Sequence, residues 1–133
     1  MENVSIVLVS HSKKLVDGLL ELLDQLVQGK VYITTAAGSG EALGTDATLV
    51  MRALESCPAG TEIVVLFDLG SALLSCEVAL ELLGEPFSTR TTLIDAPLVE
   101  GAIAAAVDAS LGHARESVVS SAVSAWNLRK IVD

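Results

Sequence analysis

The stretch VSIVLVSHS, residues 4–12, decides the fold because a run of branched apolar residues ends abruptly in Ser-His-Ser. Residues 4–9 are rich in Val and Ile, which is typical of a buried β-strand. The polar residues that follow predict a turn at the carboxyl end of this strand. His11 therefore stands where the first strand ends.

A helix over residues 13–28 is predicted next, since leucines recur at helical spacing and Gly29 stands where a helix would end. The same strand-then-helix pattern recurs along the chain. Further strands are predicted over residues 31–37, 62–67 and 90–94, and further helices over residues 47–56, 72–83, 98–111 and 115–132. Thr45 or Asp46 is the expected cap of the second helix.

The fold class predicted from this alternation is α/β, with an open, mostly parallel four-stranded sheet and helices on both faces. Residues 63–67 are all apolar, as expected of a strand covered by helices on both sides. Right-handed crossovers favour the strand order 2-1-3-4. A chain of 133 residues is predicted to form a single domain over residues 1–133.

In this order the first and third strands flank the point where connections diverge to opposite faces, which is where open α/β sheets bind ligands. His11 follows the first strand and Asp68 follows the third. A carboxylate that accepts the Nδ1–H bond of an imidazole leaves the Nε2 lone pair free. We therefore predict His11 as a nucleophile and Asp68 as the residue that orients it.

The same edge of the sheet offers candidate donors for a phosphoryl group. Helices predicted to begin near residues 13 and 72 favour anions at their N-termini, and Ser12, Gly70 and Ser71 lie beside them. The loop containing Gly44 and Thr45 could contact phosphate, although helix capping by Thr or Asp explains the same residues without a ligand. Phosphoryl transfer needs mainly alignment and charge stabilisation, so no metal site is expected in this chain.

Each candidate has an ordinary structural explanation as well. A histidine in a turn is often a surface or capping residue, and an aspartate between a strand and a helix often forms a turn. His113 follows a predicted helix end, where solvation or contact with terminal carbonyls explains it, so we leave it out of the site. Apolar residues on several faces of the helix over residues 72–83 suit either a dimer contact or deep burial.

Composition excludes several classes of function. A formal charge of −9 argues against nucleic acid and acidic membranes as partners. The longest apolar run, residues 102–107, is far shorter than the ~20 residues of a membrane span, and the N-terminus lacks a secretory signal, so we expect a cytoplasmic protein.

Cys57 and Cys76 show no metal or redox spacing and are expected to be reduced, partly buried thiols.

Four ordered segments together resemble a known family: LVSHS, GTD, FDLGSA and APLVEG, which begin at residues 8, 44, 67 and 96. The sequence is similar to the DhaM family, the phosphotransferase subunits of phosphoenolpyruvate-dependent dihydroxyacetone kinase, within the wider mannose-type EIIA group. The resemblance implies a homodimer in which His11 carries phosphate on Nε2. Asp68 matches the carboxylate that orients the family's histidine.

The resemblance also implies the partners. Phosphorylated HPr donates to His11, which phosphorylates ADP bound on the DhaL subunit, while DhaK binds dihydroxyacetone. No cofactor is bound directly, and ADP or ATP with magnesium belongs to DhaL. Some members of the family append HPr-like and enzyme-I-like domains, which do not fit in 133 residues, so a separate HPr is expected.

Three alternatives remain open from the sequence. A mannose-class sugar-transport IIA domain would differ in its acceptor, a IIB domain. A non-enzymatic flavodoxin-like or receiver-like binding module is compatible with the fold, although aromatic residues are only 3% and no acidic cluster follows the first strand. A histidine phosphatase would require Arg52 or Arg90 to fold toward His11.

Overall fold

The computed structural model describes residues 3–38 and 46–132. The strands are β1 (Val4–Ser10), β2 (Ile33–Ala37), β3 (Glu62–Phe67) and β4 (Thr91–Leu93). The helices are α1 (Lys13–Val27), α2 (Ala47–Ser56), α3 (Gly70–Leu83), α4 (Phe87–Arg90), α5 (Leu98–Ser110) and α6 (Arg115–Val123), followed by a 3₁₀ turn over Ser124–Asn127.

These strands form one parallel sheet in the order β2-β1-β3-β4, which confirms the predicted fold class and order. β1 occupies a central position and pairs with β3 from Val4 opposite Glu62 to Val9 opposite Phe67. The carboxyl ends of β1 and β3 therefore lie side by side at one edge of the sheet.

Alternate side chains of the central strands pack into two separate hydrophobic cores, one on each face of the sheet. Ile6 and Leu8 pack with α1, α5 and α6, whereas Val7 and Val9 pack with α2 and α3 on the opposite face. All seven residues of β1 are buried, and burying one such aliphatic side chain stabilises the fold by about 1.5–3 kcal/mol. Burial on both faces explains why this strand is an unbroken apolar run.

The second helix begins as predicted, and Asp46 is its cap: the Asp46 carboxylate accepts a 2.7 Å hydrogen bond from the Thr48 N–H group. Thr45, the other predicted cap, lies outside the described residues. The first helix is capped by Ser12, whose hydroxyl oxygen accepts from the Leu15 N–H group at 3.3 Å. Gln28 and Gly29 adopt positive φ angles of 49° and 78°, which ends α1 where the sequence predicted.

The fourth strand is one residue shorter than predicted at each end, since β4 stops at Leu93 instead of Ile94 and Arg90 belongs to the short helix α4. Its backbone N–H group donates to the Pro86 carbonyl at 3.0 Å, which is a helical bond. The Arg90 guanidinium donates to the carbonyl oxygens of Thr61 and Pro58, at the amino end of β3. These anchors hold Arg90 in a helical turn, so strand pairing starts at Thr91.

The predicted helix over residues 115–132 was wrong beyond Val123. The chain tightens into the 3₁₀ turn, and the Ser124 hydroxyl donates back to the Ser120 carbonyl at 2.9 Å, a contact that disfavours helix propagation. The Trp126 Nε1–H group donates to the Asp95 carbonyl at 2.9 Å. This tertiary contact draws the segment toward the connection between β4 and α5.

Both cysteines are free and more completely buried than predicted, with Cys76 fully inaccessible and Cys57 5% exposed. Burial raises the pKa of the Cys57 thiol to about 11 and that of the Cys76 thiol to about 12. Both are therefore inert core side chains at neutral pH. Among the described residues, no helix has the length and apolar character needed to cross a membrane.

Gly101 in α5 and Gly18 in α1 provide a test of the packing between α5 and the sheet. A Cβ atom at Gly101 would lie 2.9 Å from the Ala96 Cβ atom and 3.0 Å from a Leu66 methyl group, whereas one at Gly18 would meet nothing within 4 Å. We expect Gly101→Ala to lower the free energy of unfolding by about 1–3 kcal/mol through overpacking, and Gly18→Ala to raise it by about 0.5–1 kcal/mol through helix propensity. Urea denaturation checks both values, and equal effects would contradict this account of the α5 contact.

Candidate active site

The structure brings His11 and Asp68 together where the connections from β1 and β3 diverge. His11 joins β1 to α1, which packs on one face of the sheet, and Asp68 joins β3 to α3, which packs on the other. The Nδ1 atom of His11 lies 2.9 Å from the Asp68 Oδ1 atom. The two side chains therefore make the hydrogen bond that the sequence predicted.

Asp68 is the centre of the hydrogen-bond network. Its Oδ2 atom accepts from the Ser10 hydroxyl and the His11 backbone N–H group, both at 2.9 Å, and its Oδ1 atom accepts from the Leu69 N–H group at 2.7 Å. The carboxylate side chain is only 14% exposed. Burial alone raises the pKa of Asp68, but the donors from His11, Ser10 and Leu69 outweigh it, so the pKa lies below its ordinary value.

When the His11 ring is neutral, the ionised carboxylate decides which of its nitrogens carries the proton. A carboxylate only accepts hydrogen bonds, so Nδ1 must be the N–H donor toward Asp68. Nε2 then carries the lone pair. The Ser71 hydroxyl lies 2.6 Å from Nε2 and must donate to it. The lone pair of His11 is thus directed toward the first turn of α3.

The first turn of α3 suits an anion. Its N-cap residue, Leu69, makes no side-chain capping bond, and unpaired N–H groups with the helix dipole favour negative charge there by about 0.3–1 kcal/mol. Gly70 has an ordinary φ, and an added Cβ atom would meet nothing within 4 Å. Packing therefore does not require glycine at this position. The space beside the start of α3 is open to an approaching group.

The other predicted site residues have different outcomes. Ser12 lies beside His11, where its hydroxyl oxygen caps α1. Gly44 and Thr45 lie outside the described residues, so their predicted contact with phosphate stays a prediction.

Ser10 also belongs to this hydrogen-bond network, although it was not among the residues predicted from the sequence. Its hydroxyl donates to Asp68 and accepts from the Ser12 N–H group at 3.0 Å, so it ties the strand end to the turn. It is completely buried. The sequence did contain an indication of this role. A serine ends the apolar strand directly before the candidate histidine, and a buried hydroxyl needs a hydrogen-bond partner.

His113, Arg90 and Arg52 lie away from His11. The Nδ1 atom of His113 lies 2.7 Å from the Asp108 Oδ1 atom, at the far end of α5. Arg90 is anchored at the amino end of β3, and Arg52 lines a separate depression beside β2. Among the described contacts, neither arginine reaches His11, so the condition set for a histidine phosphatase is not met.

Together, fold and site define a class of protein: a parallel α/β domain with a carboxylate-oriented histidine at the switch point of its sheet. Residues 5–119 match the EIIA-man family, described as the PTS system fructose IIA component, and the chain belongs to this family.

Several relatives have known names. The chain is 43% identical over 117 residues to a Listeria innocua protein, PEP-dependent dihydroxyacetone kinase 2, phosphoryl donor subunit DhaM, covering 87% of this chain and 94% of that relative. It is 41% identical over 131 residues to the corresponding Escherichia coli subunit, with 96% of this chain covered. The chain spans only 28% of the length of that relative.

Solved structures agree with the fold. The crystal structure of the unknown function protein EF1359 has a TM-score of 0.82 and 34% identity, covering 90% of this chain and 92% of the other. The EIIA component from Streptococcus agalactiae has a TM-score of 0.69 at 19% identity, with 98% and 96% covered, and at this identity it supports the fold alone.

The lowered pKa of Asp68 predicts a pH dependence of stability. The ionised carboxylate stabilises the fold above the ordinary aspartate pKa, about 3.9, and this contribution is lost as pH falls through the lower folded-state pKa. Asp68→Asn removes the titration and weakens the hydrogen bonds, so we expect it to be less stable than the wild type by about 1–3 kcal/mol at pH 6–7, with the difference shrinking toward pH 3.

Chemical denaturation at several pH values measures this difference. Asp17→Asn is the control, because Asp17 pairs with Lys13 on an exposed helix surface, where such a pair contributes only about 0.3–0.5 kcal/mol. A wild-type advantage over Asp68→Asn that stays constant from pH 7 to pH 3 would contradict the assigned role of the carboxylate.

Proposed function

We propose that the chain is the phosphoryl donor subunit, DhaM, of a phosphoenolpyruvate-dependent dihydroxyacetone kinase, and that His11 carries the phosphoryl group. The observation that carries this proposal is the arrangement of His11, whose Nδ1–H group is held by Asp68 while Nε2 points at the start of α3. The names of the relatives support the same function. Residues 1–133 then act as one mannose-type EIIA domain in the cytoplasm.

Phosphoryl acceptance follows from the hydrogen bonds. The Nε2 lone pair of His11 attacks the phosphorus atom of phosphorylated HPr, and the bond between phosphorus and the donor histidine nitrogen breaks. The Nδ1–H group stays on the His11 ring, which gains positive charge as the new bond forms. Asp68, ionised and 2.9 Å away, stabilises that charge without moving.

The phosphoryl oxygens are stabilised by the first turn of α3. Once Nε2 is bonded to phosphorus, it no longer accepts a hydrogen bond. The Ser71 hydroxyl then donates to a phosphoryl oxygen instead. The backbone N–H groups of Gly70 and Ser71 and the dipole of α3 act on the same oxygens. Ser12, Gly44 and Thr45 are further proposed contacts for phosphate or for the partner.

Discharge reverses these steps. A terminal phosphate oxygen of ADP on the DhaL subunit attacks phosphorus, the bond to Nε2 breaks, and ATP forms on DhaL while His11 regains its lone pair. ATP on DhaL then supports phosphorylation of dihydroxyacetone held by DhaK. In this scheme the nucleotide and its magnesium belong to DhaL, and no cofactor is held by the present chain.

A homodimer is part of the proposal. Leu74 and Leu82 on α3 are 63% and 66% exposed, and Val78 between them is 39% exposed. These residues form an apolar stripe on a helix whose Cys76 side is buried. Covering such a stripe with a second copy removes apolar surface from water.

The sugar-transport alternative differs only in the acceptor. The family's description as a fructose IIA component is compatible with it. The deciding experiment is intact mass after incubation with phosphoenolpyruvate, enzyme I and HPr, followed by DhaL loaded with ADP. An acid-labile phosphate that DhaL discharges supports the kinase subunit. Phosphate that DhaL leaves in place supports a sugar-transport IIA domain, and no phosphorylation defeats both.

Replacing His11 is the central test of the site. We expect His11→Gln to abolish phosphoryl acceptance completely with the fold retained, because glutamine lacks the nucleophilic nitrogen. His113→Gln is a matched control, since His113 is the chain's other histidine and also hydrogen-bonds an aspartate. The same mass assay reads both variants, together with circular dichroism to check folding. Normal turnover by His11→Gln would defeat the proposed function.

The Ser71 hydroxyl is expected to matter most once charge develops on the phosphoryl group. Ser71→Ala should lower kcat/KM for phosphorylated HPr by roughly tenfold, the loss expected for one hydrogen bond to a charged group. Ser71→Thr keeps the hydroxyl and should retain most of the rate. Quenched-flow measurement of phosphorylation separates the two variants, and equal rates for Ser71→Ala and the wild type would remove Ser71 from the mechanism.

A further inference from the structure

An apolar cleft lies directly beside the active site, between the carboxyl ends of β3 and β4. Its lining includes Phe67, Leu69, Leu73, Leu93, Asp95 and Trp126. We call it the Trp126 cleft. Asp68 and Gly70 also contribute to its wall, so it is continuous with the site around His11.

Trp126 is exposed and yet held in place. Its side chain is 59% exposed, while its Nε1–H group donates to the Asp95 carbonyl at 2.9 Å. Leu69, which also lines the cleft, is likewise 59% exposed. A fixed aromatic side chain in a cleft that also exposes a leucine is typical of an anchor in a protein interface, because little conformational entropy is lost on binding.

The position of the cleft restricts what can occupy it. His11 is only 24% exposed, and a donor that carries phosphate on a short imidazole side chain must bring its own surface close to reach Nε2. That surface must cover Leu69 and Gly70 next to Ser71. A permanently bound second copy would block this approach, so the occupant must be a transient one.

The charge around the cleft indicates the chemistry of the partner. Asp95 is exposed, and its carboxylate has no partner among the described hydrogen bonds and ion pairs. Glu100 nearby in sequence is neutralised by Lys130, at 2.6 Å. With a net charge of −9 for the chain, this rim favours a partner whose apolar side chain is flanked by basic residues.

We propose that the Trp126 cleft is the docking site of the phosphohistidine-bearing donor protein, which inserts an apolar side chain beside Trp126 and places a basic residue opposite Asp95. This inference rests on the proposed function, since it supposes that a protein delivers phosphate to His11. It adds a binding surface that lies outside the phosphoryl-transfer chemistry itself.

Steady-state transfer from phosphorylated HPr tests the proposal. We expect Trp126→Ala to raise KM for phosphorylated HPr roughly thirtyfold, as truncation of an interface tryptophan does, with kcat within about twofold of the wild type because the chemistry at His11 is intact. Trp126→Phe keeps an aromatic ring and should fall between the two. Leu26→Ala is the matched control, since Leu26 is a comparably exposed apolar residue, at 50%, on α1.

A second measurement needs no variant. Trp126 is the single tryptophan of the chain, so fluorescence excited at a wavelength that Tyr32 does not absorb reports on the cleft once the signal of HPr is subtracted. Binding of HPr should protect Trp126 from acrylamide quenching. High salt should weaken this protection, and Asp95→Asn should reduce that salt dependence.

The outcomes separate the two proposals. Absence of any phosphate on His11 would defeat the proposed function itself. Normal phosphorylation with an unchanged KM for folded Trp126→Ala and no protection of the fluorescence would overturn the docking site alone. A defect confined to discharge by DhaL would show that the acceptor occupies the cleft, and a defect confined to oligomeric state would assign it to a second copy; either result overturns the assignment to the donor.

Discussion

The parallel pairing of β1 with β3 is the constraint on which the site depends. Val9 lies opposite Phe67, and the ladder continues one step further, because the Asp68 N–H group donates to the Val9 carbonyl at 3.1 Å. The backbone of Asp68 is thus fixed relative to the end of β1 before its side chain makes any contact. Since β1 is buried on both faces, a one-residue slip in register would exchange its side chains between the two cores and disrupt the packing of both.

The same pair of side chains occurs twice in the chain with different surroundings. His113 and Asp108 match His11 and Asp68 in their Nδ1 contact, but Asp108 belongs to the last turn of α5, where the helix dipole disfavours a phosphoryl group. His11 faces the first turn of α3. A carboxylate can orient any imidazole, and the neighbouring helix end decides whether an anion can be held beside it.

Strongly patterned elements were predictable from the sequence. The strand over residues 62–67 and the helix over residues 47–56 have the predicted bounds, because burial on both faces leaves a continuous apolar run in a strand and burial of one stripe leaves a helical periodicity. The end of the chain was not predictable in this way. There the contact between Trp126 and Asp95, which are distant in sequence, competes with local helix propensity and prevails.

The sequence by itself determined the α/β class, the strand order and the placement of His11 and Asp68 at the ends of neighbouring strands, since these follow from hydrophobic periodicity and the rules of parallel sheets. Only the tertiary structure decided that Ser10 closes the network around Asp68, that Ser71 rather than another donor meets Nε2, and that Trp126 lies beside the site. Those contacts depend on side-chain directions at a few ångströms, which packing between distant segments sets and no local pattern records.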